Sequence, residues 1–397
     1  MGLTGSHIVS SSIYLDHAAT TPVAPSVLSE MLPYFNHIYG NPSSVHADGR
    51  AARRAVDTAR DRLAAVLDCA QREIVFTGSG SEADNLAVRG VFDRWSGERG
   101  RHIVVSAIEH DAVLESARSL QGRDVAEVTV VPCDAGCRVD PEEFAAAVRD
   151  DTVLASLMLV NNETGTVQDV AAAAEAVRRR NARTLVHTDA VQALGRIAVH
   201  PEELGVDLLS LSAHKLYGPK GAGALRVRRG VFLAAQVAGG GQERNRRSGT
   251  ENVAGIVGFA AAAELAEPLR DSEAPRQASL ADALIQRVTR ALPDVLVTGD
   301  ERHRAPGFAT FAIPGCRTDL LLTVLDELGV SASGGSACSS GAPTPSHVLL
   351  AMGLPPELAA GALRCTVGRA TSREDLMRAG DTIVAAVERI RERVAVS

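Results

Sequence analysis

From Ile74 to about Arg228 short apolar runs of strand type alternate with segments of helical period. Strands are expected at 74–77, 102–107, 128–132, 154–161, 184–188, 207–212 and 223–228, with helices near 81–94, 141–149 and 169–180 bridging several of them. Strands joined by helices of this length connect through right-handed crossovers and so build a mostly parallel sheet. The last run, 223–228, follows a turn instead of a helix, so it is expected to run the other way. The fold class that follows is α/β, a large mostly parallel sheet whose ligands sit at the carboxyl ends of the strands.

On either side the pattern changes. Ile13 to Pro22 reads as a short strand ending in a turn, Gly40-Asn41-Pro42-Ser43-Ser44 as an irregular loop, and 49–67 as a helix. An Ala-rich helix near 254–266 is followed by Pro268 and by Asp271-Ser272-Glu273-Ala274-Pro275, which mark a boundary. Beyond it come a helix at 277–292, strands at 295–298 and 307–313, a helix at 318–328 and a strand at 363–367. Thr371-Ser372-Arg373-Glu374 has the form of a capping box for a last helix. Leu376, Ile383, Val387, Ile390 and Val394 share one face of that helix. The expected division is a large α/β domain over 24–265 and a smaller α+β domain from 12–23 and 266–397. Residues 1–11 read as a tag remnant or a frayed end.

A chain of 397 residues with 45% hydrophobic and 22% charged content can bury a large core. A net charge of -7 and only 3% aromatic residues argue against direct nucleic-acid binding. No window reaches the roughly 20 apolar residues of a membrane span, and the opening residues do not have the form of a signal peptide. Six scattered cysteines favour free thiols in a reducing cytoplasm. Cys133 and Cys137 are close enough for half a metal site, but no second pair follows, so solvated loop thiols are expected and no metal.

The chemistry gathers at strand ends. Leu209-Ser210-Leu211-Ser212-Ala213-His214-Lys215-Leu216-Tyr217-Gly218 runs from strand into a turn that Gly and Pro enforce. Lys215 is thereby either a surface lysine beside a turn or a Schiff-base nucleophile at the mouth of the sheet. The upstream run from Thr184 to Gln192 ends in Asp189. Pyridoxal phosphate needs a lysine for its aldehyde and a carboxylate for its ring nitrogen, and these two strand ends would supply both.

Gly78-Ser79-Gly80-Ser81-Glu82-Ala83 fits G-x-G-x-x-A and opens a helix. It suits one phosphate on free helix amides, a dinucleotide, or a structural turn. A dinucleotide fingerprint wants an acid about 20 residues on, and Glu109 comes later than that. His110 follows the strand at 102–107 and so lies at the same sheet edge, where it would stack on a planar cofactor, shuttle a proton or serve structure alone. Asn162 and Gln192 would reach a phenolic oxygen or merely cap loops. Arg364 is a carboxylate clamp or a surface strand arginine. Cys338 sits amid Gly, Ser and Ala, with no apolar neighbours to shield a thiol. Gly239 to Thr250, with three arginines, is a solvated basic loop or a phosphate contact.

These motifs together resemble the cysteine desulfurases, pyridoxal-phosphate enzymes of the class V aminotransferase superfamily. The resemblance rests on Tyr14-Leu15-Asp16-His17-Ala18-Ala19-Thr20-Thr21, Gly40-Asn41-Pro42-Ser43-Ser44, Ile108-Glu109-His110, Val160-Asn161-Asn162-Glu163, the Lys215 segment, Arg247-Ser248-Gly249-Thr250 and Gly335-Ser336-Ala337-Cys338. It implies the aspartate-aminotransferase-like (type I) architecture. It also implies that Lys215 carries pyridoxal 5'-phosphate, Asp189 pairs with its ring nitrogen, His110 stacks on the ring, and Gln192 and Asn162 lie near its phenolic oxygen. Gly80, Ser81, Ser212 and His214 would bind the phosphate, and Thr250 would reach it from a second subunit of a homodimer with shared sites. Arg364 would hold the carboxylate of L-cysteine. Cys338 would take its sulfur as a persulfide and pass it to an acceptor protein, leaving L-alanine.

Iron–sulfur cluster assembly is the destination expected for that sulfur, with tRNA thiolation and DNA phosphorothioation as alternatives. Rival readings are an aminotransferase or selenocysteine lyase on the same scaffold, a nicotinamide dehydrogenase on the Gly78 loop, and a non-enzymatic scaffold. The chain departs from the common Gly-Ser-Ala-Cys-Thr-Ser form at Ser339. Alternation from Val330 through Ala332 would also let a strand run toward Cys338.

Overall fold

The computed structural model describes residues 12–335 and 345–396, with side chains described to Arg393. Seven strands form the main sheet, in the order Ile74–Thr77, Gly223–Val227, Leu208–Ser212, Leu185–Asp189, Thr152–Ser156, His102–Ser106 and Glu127–Val131. Gly223–Val227 pairs antiparallel with both neighbours, as the turn before it requires, and every other pairing is parallel. Helices Gly80–Arg99, Asp111–Gly122, Pro141–Ala146 and Val170–Arg180 make four of the crossovers. The central strands are buried at every position because helices cover both faces. The expected run 154–161 is instead a strand over Thr152–Ser156. Past it, Leu157 and Leu159 donate to the carbonyls of His187 and Asp189 in irregular but buried backbone, which composition alone does not separate from strand.

A second, antiparallel sheet orders Ala362–Thr366, Phe308–Ala312 and Leu296–Val297. Beside it, Ile13–Tyr14 pairs in parallel with Val330–Ser331. That strand stops at Ser331, and Ser333 makes one further bridge, to Arg364. Cys338 lies outside the described residues.

The break expected at Pro268 and Pro275 is absent: Val253–Ala291 is one helix. Each proline removes one amide donor, and the carbonyls it orphans, of Glu264 and Asp271, belong to exposed residues that water can satisfy. The first turns of this helix pack into the core of the main sheet, and Leu280, Leu284 and Val288 pack into that of the smaller one. Pro268 is exposed, so Pro268→Ala should restore a helical hydrogen bond and raise the unfolding free energy by about 1–2 kcal/mol in a denaturant titration.

The last helix, Arg373–Val396, buries Leu376, Ile383, Val387 and Ile390; the Val394 side chain lies outside those described. Its cap falls one residue later than expected. The Ser372 hydroxyl accepts from the Asp375 amide at 3.0 Å, while Thr371 is taken up by the Gly368 amide at 2.9 Å.

Candidate active site

The strand Leu208–Ser212 ends where Ala213–Lys215 makes a single tight turn. The amides of Leu216 and Gly218 both donate to the Ala213 carbonyl, at 3.1 and 3.0 Å. A Cβ at position 218 would stand 2.8 Å from that oxygen, so glycine closes the turn. Lys215 is thereby turned into a cavity at the strand ends, where Nζ donates to the carbonyls of Ala18 and Ala19 at 2.6 and 2.7 Å. Asp189 ends the adjacent strand and accepts from the Val191 amide at 2.8 Å. Burial raises its carboxyl pKa, against the opposing charges of His110 and Lys215.

The same cavity is lined by His110, Gln192, Asn162, Gly80, Ser81, Ser212, His214 and Arg364. Thr250 is exposed and does not line it. Helix Gly80–Arg99 opens on the cavity with Ser79 as its cap, whose hydroxyl accepts from the Glu82 amide at 3.1 Å. Gly80 is required there, since a Cβ would meet Val191 Cγ2 at 2.8 Å. Amides at such a helix start suit one phosphate. A ribose-binding acid is not at hand. Glu109 is fully buried and accepts from the Ser106 hydroxyl and the Met158 amide, both at 2.7 Å.

His110 caps helix Asp111–Gly122 and its Nδ1 accepts from the Ala112 amide at 3.0 Å, so the neutral ring carries its hydrogen on Nε2. His214 Nδ1 lies 3.1 Å from the Thr20 hydroxyl; burial, with Lys215 and Lys220, pushes its pKa down to about 4. Arg364 is not a surface arginine. It is 2% exposed, and its guanidinium donates to the carbonyls of Asn162 and Gly335 at 2.8 and 3.0 Å and to Asp16 at 3.0 Å. The basic loop before Thr250 is not simply solvated either, because Arg247 pairs with Glu82 at 2.7 Å beside the helix start.

Burial lifts Glu109 from the ordinary 4.5 to about 7. Its folded-state pKa exceeds its unfolded one, so the stability it contributes is full below about pH 4.5 and is lost as pH rises through 7. Unfolding measured against pH should therefore show Glu109→Gln gaining on the parent protein across that window, by about 3 kcal/mol.

Asp16, Asp84, Glu163 and His347 adjoin this site without a role in the sequence reading. Asp84 was within reach of it, because it lies one helical turn past Gly80 and so on the same face. Glu163 accepts from the Ser346 hydroxyl, and His347 Nε2 donates to the Glu109 carbonyl at 3.0 Å; both contacts cross long sequence distances. Cys133 and Cys137 are not solvated loop thiols. Both are free thiols, Cys137 fully buried and Cys133 half-buried; burial raises the Cys137 pKa, while the neighbouring Cys137 lowers that of Cys133. Among the described residues no three His, Cys, Asp or Glu side chains are grouped to hold a metal.

The sequence pattern of the family described as aminotransferase class-V matches residues 13–378. The cysteine desulfurase IscS of Dictyoglomus turgidum is 42% identical, over 96% of this chain and 95% of its own. That of Methanosarcina thermophila is 40% identical, over 96% and 93%. A solved NifS-like protein superposes with a TM-score of 0.87 at 34% identity, covering 97% of this chain and all of its own. DndA from Streptomyces lividans gives 0.71 at 36%, over 89% and 99%.

The cofactor of this family, pyridoxal 5'-phosphate, fits the residues present. Gln192 Oε1, Ser212 Oγ and Arg364 Nε are buried on this cavity with no hydrogen-bond partner among the described residues, as groups awaiting a polar ligand would be. Lysine, buried aspartate and helix amides converge on one space, as an aldehyde, a ring nitrogen and a phosphate require. With that fit and relatives that match nearly end to end, the chain belongs to the aminotransferase class-V family and, within it, to the cysteine desulfurases.

Proposed function

We propose that this chain takes the sulfur of L-cysteine onto Cys338 as a persulfide, releases L-alanine, and passes the sulfur to an acceptor protein. The convergence of Lys215, Asp189 and the anchored Arg364 on one cavity carries this reading. Lys215 would hold the cofactor aldehyde and take the Cα proton of the substrate. Asp189 would keep a positive charge on the ring nitrogen, His110 would cover the ring and donate from Nε2, and Gly80, Ser81, Ser212 and His214 would hold the phosphate. Asn162 and Gln192 would orient the phenolic oxygen. Arg364 would fix the substrate carboxylate, since its contacts with Asp16 and two carbonyls lock the guanidinium plane. Bound here, pyridoxal phosphate supplies an electron sink for the Cα carbanion. The Cys338 thiolate attacks the substrate sulfur, so one C–S bond breaks and one S–S bond forms. The protons removed end on alanine.

The site would be completed in a homodimer, with Thr250 of each chain serving the other. Supporting this, Thr250 is exposed and does not line its own cavity, and Leu28, Leu32, Phe35, Tyr39 and Val45 are exposed in the segment 28–45. The site would lie where a cofactor-binding unit, 24–265, meets a smaller unit, 12–23 with 266–397. No helix among the described residues is long and apolar enough to cross a membrane; we place the enzyme in the cytoplasm. We assign its sulfur to iron–sulfur cluster assembly, supported by the relatives named cysteine desulfurase IscS.

The test is anaerobic incubation of the loaded protein with L-cysteine. Alanine should form, and the Cys338 peptide should gain the mass of one sulfur atom. A keto acid in place of alanine would make the enzyme an aminotransferase. Turnover of selenocysteine alone would make it a selenocysteine lyase.

A further inference from the structure

The strand Ile74–Thr77 is an outer edge of the main sheet, with Gly223–Val227 as its neighbour. Its outward groups are satisfied by side chains. Arg60 Nη1 donates to the Ile74 carbonyl at 2.8 Å, and the Phe76 amide donates to Glu243 Oε2 at 3.0 Å. Arg60 and Glu243 also pair with each other, through bonds of 2.6 and 2.7 Å, and both are buried. This ion pair stands where a further strand would otherwise lie. Glu243 opens an unusual turn: Glu243, Arg244 and Asn245 are all left-handed, at φ 48°, 58° and 61°. L residues rarely adopt that conformation, and three in succession need an external hold, which the Arg60 clasp supplies.

The clasp fixes the start of the loop that runs on to Thr250. Within that loop, Arg247 Nε donates to Glu82 Oε1 at 2.7 Å and Nη2 to Oε2 at 3.3 Å, while Oε2 accepts from the Gly78 amide at 2.8 Å. Arg247 therefore lies against the turn that opens helix Gly80–Arg99: its Nη2 stands 3.6 Å from where a Cβ on Gly78 would be. The loop is thus fastened on both sides of the phosphate turn, by Glu243 to the strand before it and by Arg247 to the helix after it. The two pairs differ in kind. The Arg60–Glu243 pair is buried, whereas Arg247 and Glu82 keep 24% and 28% of their side chains exposed, and such a pair adds little to stability. Its effect is on the local charge. Glu82 follows Ser81 in the first turn of the helix, so its carboxylate draws on the same N-terminal potential that a phosphate would.

We propose that Arg247 is a positioning residue for the cofactor phosphate. By pairing with Glu82 it cancels that charge and holds the carboxylate on the Gly78 amide, so that a doubly charged phosphate at Gly80 and Ser81 meets no bare anion at the next residue. The Arg60–Glu243 clasp keeps Arg247 in place. Arg247 and Glu82 do not line the cavity, so both act on the phosphate through the field at the helix start and not by contact. The inference rests on the cofactor reading above, and it assigns residues to which that reading gives no role.

Calorimetric titration of the apoprotein with pyridoxal 5'-phosphate and with pyridoxal, which keeps the ring and aldehyde but lacks the phosphate, separates this effect from a structural one. Arg247→Gln should weaken binding of pyridoxal 5'-phosphate by at least about tenfold and leave that of pyridoxal within about twofold. Arg247→Lys, which keeps the charge without the two-point contact, should lose about threefold, and it takes the place of Arg247→Gln if that variant does not fold. Adding Glu82→Gln to either should bring back most of the lost affinity, because no carboxylate is left to neutralise. A loop merely displaced, with Thr250 carried along, would not be restored by that second change. Equal losses for both ligands, no loss for either, or no recovery in the double variant overturns the proposal. Failure of the parent apoprotein to bind pyridoxal 5'-phosphate overturns the cofactor reading instead.

Discussion

Lys215→Ala is expected to leave a folded chain whose turnover of L-cysteine has fallen by at least about 10⁴-fold. The reading above asks this amine to hold the cofactor aldehyde and to carry the Cα proton, and a positioned proton carrier alone is worth about 10²–10⁴ in rate. The fold should tolerate the change. In the structure Nζ donates to the carbonyls of Ala18 and Ala19, and losing two such bonds at a solvent-accessible cavity costs about 1–2 kcal/mol. Lys220, five residues on, does not line this cavity and should not substitute. Alanine formation followed alongside thermal unfolding checks both halves. Turnover near the parent rate in a folded variant would remove Lys215 from the chemistry.

Cys338→Ser should separate the two halves of the reaction. A hydroxyl is not ionised near neutral pH and is a poor nucleophile toward sulfur, whereas a thiol supplies some thiolate. Persulfide and alanine formation should therefore fall by about 10³-fold or more, while cofactor absorbance and cofactor affinity stay at parent values, because the residues argued to hold the cofactor are untouched. Mass spectrometry of the protein after exposure to cysteine gives the first readout, and the absorbance spectrum the second. An aminotransferase would be indifferent to this substitution. Loss of absorbance along with activity would place Cys338 in cofactor binding and not in sulfur transfer.

What the chain discloses on reading follows from how local each cause is. Lys215, Asp189 and His110 were legible because each ends a run of strand type in a parallel sheet, and topology brings such ends to one edge. Gly80 and Ser81 were legible because a glycine turn opening a helix has a local form. The continuous helix across Pro268 and Pro275 was not, since whether a proline breaks a helix depends on whether the freed carbonyls reach water. The cap at Ser372 was missed by one residue because Thr371 is claimed by Gly368. Glu109 drew attention only as a failed ribose partner. Apart from the local bond from Ser106, its contacts, with Ser156 and the Met158 amide, are made across the sheet and leave no periodic trace in the sequence. Arg364 was ambiguous for the same reason: Asp16, which anchors it, lies near the opposite end of the chain.

That last contact has a consequence for biosynthesis. Ala18 and Ala19, which receive the lysine, are synthesised well before Arg364, yet all three line one cavity. A product terminated before Arg364 therefore lacks one wall of that cavity. Such a fragment would be without the group argued to hold the substrate carboxylate.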